Sequence, residues 1–243
     1  MKTKEKVLST KIEKLEDHLI SLVIGIRFRA NFSIEDNIGA MVDNILYSKK
    51  AFFNPGLFSQ VNHESTHSKI LHDKRRNYLK ISNTDIILEI NLSDYEFSTQ
   101  EYIRAFRDEI INGMLKKYGI TQIHRIGFIK RYLFKDETIA NNFIDRTIGL
   151  TVDGVNDINL TFSRKFPVDE SISDKEIFDY NNVIYNIIKK ADEDELFASI
   201  DYQRYYEPNL ESVSEMRYDR FVELAENFSD KNFKKWLNDF YVK

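Results

Sequence analysis

Alternating apolar and polar residues recur along this chain and predict strands that have one side against a core. Within residues 18–31, for example, Ile24 and Ile26 are each followed by a small or polar residue, Gly25 and Arg27. Alternation with a period of two is typical of a strand. The same pattern predicts further strands at 84–92, 157–166, 182–190 and 196–206.

The stretch 120–134 differs because apolar residues occupy both its even-numbered and its odd-numbered positions. Ile126 and Phe128 are at even positions, whereas Ile129 and Leu133 are at odd positions. This arrangement is typical of a strand inside a sheet that is covered on both faces. We therefore predict that 120–134 is the central strand and the hinge between two similar halves.

Helical spacing of apolar residues predicts the elements between the strands. One helix begins at Ser33, and a second begins at a capping box that runs from Ser98 to Glu101. In such a box the two side chains satisfy backbone N–H groups of the first helical turn. Gly119 is suited to end this second helix. Two more helical regions are predicted at about 137–148 and 212–241.

The order strand, helix, strands, helix therefore occurs twice. Hairpins in place of regular βαβ units favour an α+β fold. We predict a single domain over 18–243, made of two pseudo-repeats at 18–119 and 120–243, after a charged N-terminal lead-in at 1–17. The strands are expected to form a mostly antiparallel sheet, with the long helices at 99–118 and 212–241 packed on it.

The composition fits a folded cytoplasmic protein and excludes several other classes. With 42% hydrophobic and 13% aromatic residues, the 243-residue chain can bury a full core. Its formal net charge of −4 gives no general attraction to nucleic acid or anionic membranes. The absence of cysteine excludes disulfides and thiolate metal sites. The N-terminus is too charged for a signal peptide and no apolar run could span a bilayer, so we expect no membrane contact.

Three segments carry a similarity to known sequences. They are the strand RIGFIKRY at 125–132, the strand and acidic loop at 78–97, and SIDY at 199–202. In this order they resemble a sporadically distributed prokaryotic family of uncharacterised two-repeat α+β proteins, although serine replaces the first aspartate of that family's D-x-D strand. The resemblance implies the α+β fold over most of the chain. It implies no chemistry, because the family has no established reaction.

The first candidate site is the motif His63-Glu64-Ser65-Thr66-His67. On a helix, H-E-x-x-H places two histidines on one face for Zn²⁺ and a glutamate as general base, which would make the protein a zinc-dependent hydrolase. A Pro-Gly pair upstream and a charged run downstream leave little room for a long buried helix. We therefore predict a strand–turn–strand in which His63 and His67 do not share zinc, and no cofactor.

The second candidate is a basic run between predicted strands, formed by Lys69, His72, Lys74, Arg75 and Arg76. Lysine and arginine clusters can contact phosphates, so this run makes a nucleic-acid-binding module an alternative function. A solvated loop is the simpler interpretation, because the chain as a whole is acidic.

The third candidate combines the central strand with a late strand. Tyrosine and arginine are the residue types that most often anchor protein interfaces. If the halves face each other, Arg131 is expected near Asp201. The alternative is a structural ion pair with aromatic packing. The residues are Arg131, Tyr132, Asp201, Tyr202, Arg204, Tyr205 and Tyr206.

These observations favour a non-enzymatic binding or scaffold protein in a bacterial cytoplasm. We expect it to recognise another protein, or a second copy of itself, through the face that carries the tyrosine and arginine residues or through the long helices. The zinc-dependent hydrolase and the nucleic-acid-binding module remain alternative functions.

Overall fold

The computed structural model describes residues 12–46, 58–65, 68–73, 75–92, 98–135, 140, 157–167, 180–190, 195–206, 211–212 and 215–239. Most of the predicted lead-in at 1–17 lies outside these residues. So does the predicted helix at 137–148, except for residue 140.

Nine strands in this part of the chain form one sheet, and each strand is antiparallel to its neighbours. Their order across the sheet is β2-β3-β4-β5-β1-β7-β10-β9-β8, and β6 and β11 form a separate pair. The bounds are β1 (Leu19–Arg27), β2 (Phe58–Ser65), β3 (Ser68–Asp73), β4 (Tyr78–Ser82), β5 (Asp85–Asn91), β6 (Gln122–Ile123), β7 (Arg125–Phe134), β8 (Asp157–Pro167), β9 (Tyr180–Lys190), β10 (Leu196–Tyr205) and β11 (Glu211–Ser212).

The helices come between and after the strands. Ser98 caps α2 with the predicted box, in which its side chain accepts from the Glu101 N–H. Two of the helices continue with π-helical hydrogen bonding, a pattern that widens the helix. The bounds are a 3₁₀ turn (Glu16–His18), α1 (Phe32–Leu46), α2 (Thr99–Ala105) with its π segment (Phe106–Leu115), α3 (Glu215–Asn227) with its π segment (Phe228–Phe233), and α4 (Lys234–Asp239).

Strand β7 lies inside the sheet, next to its middle strand β1 and with β10 on its other side. The predicted strand at 120–134 is therefore an interior strand, although residues 122–123 belong to the separate pair. The even-numbered residues of β7 are buried and its odd-numbered residues are half-buried. The two faces of β7 are therefore covered unequally, in contrast to the prediction from its apolar residues at even and odd positions. The mixed α+β class with an antiparallel sheet is confirmed. The pseudo-repeats and the single-domain boundaries stay predictions.

One face of the sheet, which we call the helix face, carries the buried side chains of Ile126, Phe128, Lys130 and Tyr132 of β7. The Phe233 ring centroid lies 5.6 Å from that of Tyr132 on this face. Aromatic pairs at such distances add to the free energy gained by burying the rings. The C-terminal helical region is thus joined to the sheet by ring contacts.

Within the described residues, no helix combines the length and the apolar character that crossing a membrane requires.

Candidate binding site on the sheet

The opposite face of the sheet, which we call the cleft face, carries Arg125, Gly127, Ile129 and Arg131 of β7. Side chains alternate between the two faces of a strand, so these residues point away from the helix face. The antiparallel register pairs Gly127 with Gln203 of β10 and Arg125 with Tyr205. On the other side the register pairs Gly127 with Gly25 of β1.

The paired glycines leave bare backbone in the middle of the sheet. A Cβ at Gly127 would lie 3.9 Å from Asp201 Oδ1, and a Cβ at Gly25 would lie 3.5 Å from Ile87 Cγ1. These are ordinary contact distances, so the fold does not require glycine at either position. Glycine inside a strand often marks close approach of a ligand or another backbone.

A cavity of about 80 Å³ lies over this glycine pair, and we call it the glycine cleft. Its apolar lining comes from Val23, Ile87 and Ile129. Its polar lining combines two guanidinium groups and one amide with two carboxyl groups. These polar residues are Arg27, Arg125, Gln203, Asp85 and Asp201.

A chain of hydrogen bonds runs along one side of the glycine cleft. Arg125 Nη1 donates to the Tyr205 hydroxyl at 3.2 Å. That hydroxyl donates to Gln203 Oε1 at 2.8 Å. Gln203 Nε2 then donates to Asp201 Oδ2. The chain fixes one oxygen of the Asp201 carboxylate, whereas its other oxygen, Oδ1, is buried without a hydrogen-bond partner among the described residues.

The environment of Asp201 also changes its acidity. Burial raises the pKa of the carboxyl group to about 6, because it penalises the charged form. The hydrogen bond from Gln203 and the charges of Arg125 and Arg131 lower the pKa and so oppose part of this shift. Asp201 therefore changes its charge near neutral pH.

Other buried polar atoms on the cleft face are also unsatisfied within the described part of the chain. They include Ser21 Oγ and Asn182 Oδ1. Asp85 Oδ1 makes no hydrogen bond, although Lys80 Nζ lies 3.5 Å from it. Buried polar groups in proteins are nearly always hydrogen-bonded to protein or water. The cleft face thus offers several unused acceptors to a molecule that binds there.

A row of stacked cations and rings borders one end of the cleft. The Arg125 guanidinium lies 5.6 Å from the Tyr205 ring centroid. Tyr205 stacks on Tyr180 of β9 with centroids 4.7 Å apart. Lys165 Nζ of β8 then lies 4.9 Å from the Tyr180 centroid. Cation–π contacts of this kind hold the ends of four strands together and orient their polar groups.

The residues predicted as interface anchors are divided between the two faces. Arg131, Asp201 and Tyr205 lie on the cleft face. Tyr132 and Tyr202 lie on the helix face with relative exposures of 0% and 4%. The alternation of the strand explains this split, because neighbouring residues point to opposite faces. The two helix-face tyrosines are packing residues, which corrects their assignment to a binding surface.

The last two residues of the predicted set also lie away from the cleft. The Arg204 guanidinium lies 5.0 Å from the Tyr206 ring centroid, and that ring is buried. Tyr206 donates its backbone N–H to the His124 carbonyl at 2.9 Å. Tyr206 is therefore a packing residue, which removes it from the candidate surface.

Arg131 forms its ion pair with Glu89, although it also lies near Asp201 as expected. Arg131 Nη1 binds Glu89 Oε1 of β5, across the intervening strand β1. Both side chains are about a third exposed. Arg131 still acts on Asp201 through its charge, which lowers the pKa of that carboxyl.

The H-E-x-x-H motif does not lie on a helix. The chain is extended through His63 and Glu64 in β2 and extended again in β3, as predicted for the two strands, whereas residues 66–67 between them, which include His67, lie outside the described residues. The helix that a zincin requires is therefore absent at His63 and Glu64. Among the described residues, no three His, Asp or Glu side chains are placed to hold one metal ion.

The basic run is divided between β3, which carries Lys69 and His72, and the turn before β4, which carries Arg75 and Arg76. Asp73 holds this turn by accepting from the backbone N–H groups of Arg75 and Asn77, both at 2.9 Å. Arg76 adopts a left-handed conformation with φ of 62°. Lys69 points instead toward α1, where its Nζ lies 3.5 Å from a Cβ built at Gly39. The run is therefore no single basic patch, and Lys74 lies outside the described residues.

Several residues of the glycine cleft were not predicted as site residues. Arg27, Asp85 and Gln203 carry no motif of their own, and Arg125 was noted only as part of the segment 125–132. The available signal was a glycine inside a strand pattern, which occurs at both Gly25 and Gly127.

Comparison with known proteins gives no relative, since neither a protein-family model nor a curated protein matches this chain. The resemblance to the two-repeat prokaryotic family therefore rests on the segments that suggested it and stays a prediction.

Proposed function

We propose that this chain is a non-enzymatic binding protein that recognises another protein through the cleft face, in a bacterial cytoplasm. The observation that carries the proposal is the buried Asp201 Oδ1, which has no hydrogen-bond partner among the described residues and borders a cavity. An unpaired buried acceptor costs roughly 1–3 kcal/mol. A bound partner that donates to it removes this cost.

The residues around the cavity support a protein as the partner. Arg125 lines the cleft, and Arg131 and Tyr205 lie on the same face of the sheet. Arginine and tyrosine are enriched among residues that dominate interface affinity. The hydrogen-bond chain and the stacked row hold Arg125 and Tyr205 in place, which lowers the entropy lost on binding. Charges of both signs around the cleft favour specific docking over general attraction.

The alternative functions have weaker support. The hydrolase requires a helix at His63 and Glu64, where the backbone is extended. The nucleic-acid module requires a shared basic patch, and Lys69 is separated from Arg75 and Arg76.

Site-specific photocrosslinking tests the proposal. A photoreactive residue replaces the exposed Arg27 at the rim of the cleft, and a control protein carries it at the exposed Glu223 on α3. In lysate of the organism that encodes the chain, we expect the Arg27 position to crosslink one protein, and an excess of unmodified chain to compete. Equal crosslinking from both positions, or no crosslink from the cleft, would contradict the proposal.

We also propose that the fold consists of two pseudo-repeats, 18–119 and 120–243, in one domain with both long helices on the helix face. In support, β1 lies beside β5, the last strand that its own half adds to the nine-stranded sheet, and β7 lies beside β10, the last strand that its half adds to that sheet. The pairing of β1 with β7 joins the halves. Separate expression of 1–119 and 120–243 tests this, since two soluble fragments that each melt cooperatively would contradict a single sheet.

A further inference from the structure

We infer that the glycine cleft receives a tyrosine side chain of the partner protein, with its ring on Gly25 and Gly127 and its hydroxyl donating to Asp201 Oδ1. This inference rests on the proposed function and adds the chemical class of the group that is recognised.

The floor of the cleft suits a flat ring. Gly25 and Gly127 are directly paired on adjacent strands, so neither contributes a side chain to the floor of the cavity. Aromatic side chains pack well over glycine in sheets, where they replace the missing cross-strand contact. Val23 and Ile129, the next pair on this face, supply an aliphatic edge for the ring.

The dimensions of the glycine cleft favour a single side chain as its occupant, rather than a helix or a second sheet. Arg125 and Ile129 flank Gly127 along β7 and are about 13 Å apart by strand geometry. Ile87 and Gln203 flank the glycine pair across the sheet, at three strand spacings or about 14 Å. Once the thickness of the flanking side chains is subtracted, the cleft accepts a single ring and excludes a bulkier element.

The polar lining favours a neutral hydrogen-bond donor. Asp201 Oδ1 is an acceptor, so a phenylalanine would leave it unpaired. Arg27 and Arg125 line the same cavity as Asp85 and Asp201, so a charged group of either sign meets repulsion from one pair as well as attraction from the other and gains no net advantage from its charge. A phenol combines an uncharged donor with a ring whose face attracts the neighbouring guanidinium groups.

The test uses amino-acid amides as probes of the full-length chain. N-acetyl-tyrosinamide, N-acetyl-phenylalaninamide and N-acetyl-lysinamide are titrated separately while the backbone amide signals of Gly25 and Gly127 are followed by NMR. We expect the tyrosine probe to shift both signals. We expect the phenylalanine probe to bind about tenfold more weakly because it lacks the hydrogen bond to a charged acceptor, and the lysine probe to leave both signals unchanged.

Substitutions in the glycine cleft test whether the tyrosine probe binds over the glycine pair. Gly127→Val fills the cleft and is expected to abolish binding of the tyrosine probe. In Gly127→Ala the new Cβ has room, at 3.9 Å from its nearest neighbours, so this variant is expected to fold. We expect it to bind the tyrosine probe more weakly than the unmodified chain does. It therefore keeps the test valid if the valine variant does not fold. Gly39→Ala on α1 is the matched control and should bind as the unmodified chain does.

The results separate this inference from the proposed function. Equal affinity for the tyrosine and phenylalanine probes, no shift at either glycine, or undiminished binding to Gly127→Ala would overturn the tyrosine inference. If the partner still crosslinks at the Arg27 position in that case, the proposed function stands alone. If the tyrosine probe binds but no partner crosslinks, the recognised group is supported and the protein-binding function fails.

Discussion

The same strands of this protein present two faces of opposite character. On the helix face, Phe128 and Tyr132 are buried to 1% and 0% relative exposure, and even the charged Lys130 has a carboxylate, Asp230, at 3.6 Å. On the cleft face, one residue away, Gly127 supplies no side chain and the neighbouring Asp201 keeps an unpaired oxygen among the described residues.

This difference indicates how the chain divides stability from function. A face that exists only for stability is expected to be filled with large side chains, as the helix face is at Phe128 and Tyr132. Positions where the sheet is left unfilled, or where a buried polar atom lacks a hydrogen-bond partner, cluster at functional sites. The space and the hydrogen-bonding atom are then available to a bound molecule. The predictions below follow this contrast from the largest expected effect to the smallest.

Truncations of two adjacent residues on β7 should differ several-fold in how much they lower the free energy of unfolding. Phe128→Ala removes a fully buried ring and should lower the free energy of unfolding by about 3–5 kcal/mol. Ile129→Ala on the half-buried cleft face should cost about 1–2 kcal/mol, because part of that side chain is already in contact with water. Urea unfolding measures both, and equal costs would show that the cleft face is an ordinary core surface.

Asp201→Asn should make the protein more stable at pH 7. The pKa of Asp201 is raised to about 6 from 3.8, so the folded chain holds this proton more tightly than the unfolded chain. The folded wild type therefore gains stability as the pH falls through 6 toward 4 and lacks that gain above pH 6. A shift of about two units corresponds to roughly 2–3 kcal/mol, which the asparagine variant should gain at pH 7.

Unfolding at pH 7 and at pH 4.5 measures this effect. The advantage of Asp201→Asn should shrink at the lower pH, whereas the exposed Asp43→Asn on α1 is the control and should show no such advantage. A variant that is less stable than wild type at pH 7 would mean that the carboxylate is satisfied and contributes to folding.

Arg131→Ala and Tyr205→Ala should weaken partner binding more than they lower stability. Truncating interface arginines and tyrosines often costs about 2 kcal/mol, which is roughly thirtyfold in Kd. Arg107→Ala is the control, since it removes an arginine whose ion pair with Asp219 spans 3.0 Å between helices. Binding to the crosslinked partner, or self-association if that partner is a second copy, measures the effect. A large fall in Tm with unchanged association would make both residues structural.

The sequence predicts the elements well because their signals are local. The strand expected at 84–92 is Asp85–Asn91, and the helix expected after Ser98 starts there with the predicted capping box. Both signals lie within a few residues, so no knowledge of the rest of the chain is needed.

The site is less predictable because it depends on which distant residues become neighbours. Gly25 and Gly127 are far apart in the chain and meet only through the register of β1 and β7. Alternation also does not reveal which parity faces the helices. For this reason Tyr132 and Tyr202 were grouped with Arg131, although they point to the opposite face.

The smallest expected effect is the coupling between Arg131 and Glu89. Their ion pair crosses the cleft face, but both side chains are about a third exposed, so water screens the attraction. Exposed ion pairs typically contribute about 0.2–1 kcal/mol, and we expect about 0.5 kcal/mol here.

A double-mutant cycle with Arg131→Ala and Glu89→Ala, followed by urea unfolding, isolates this coupling from the effects of each truncation. A value near 0.5 kcal/mol leaves Arg131 available to exchange Glu89 for a group on the partner, because little stability is lost when the pair opens. A coupling well above about 1.5 kcal/mol would mean that Arg131 is fixed as a structural residue. In that case the cleft face would be stabilised by its own ion pair, and the contrast between the two faces would rest on the glycine cleft and Asp201 alone.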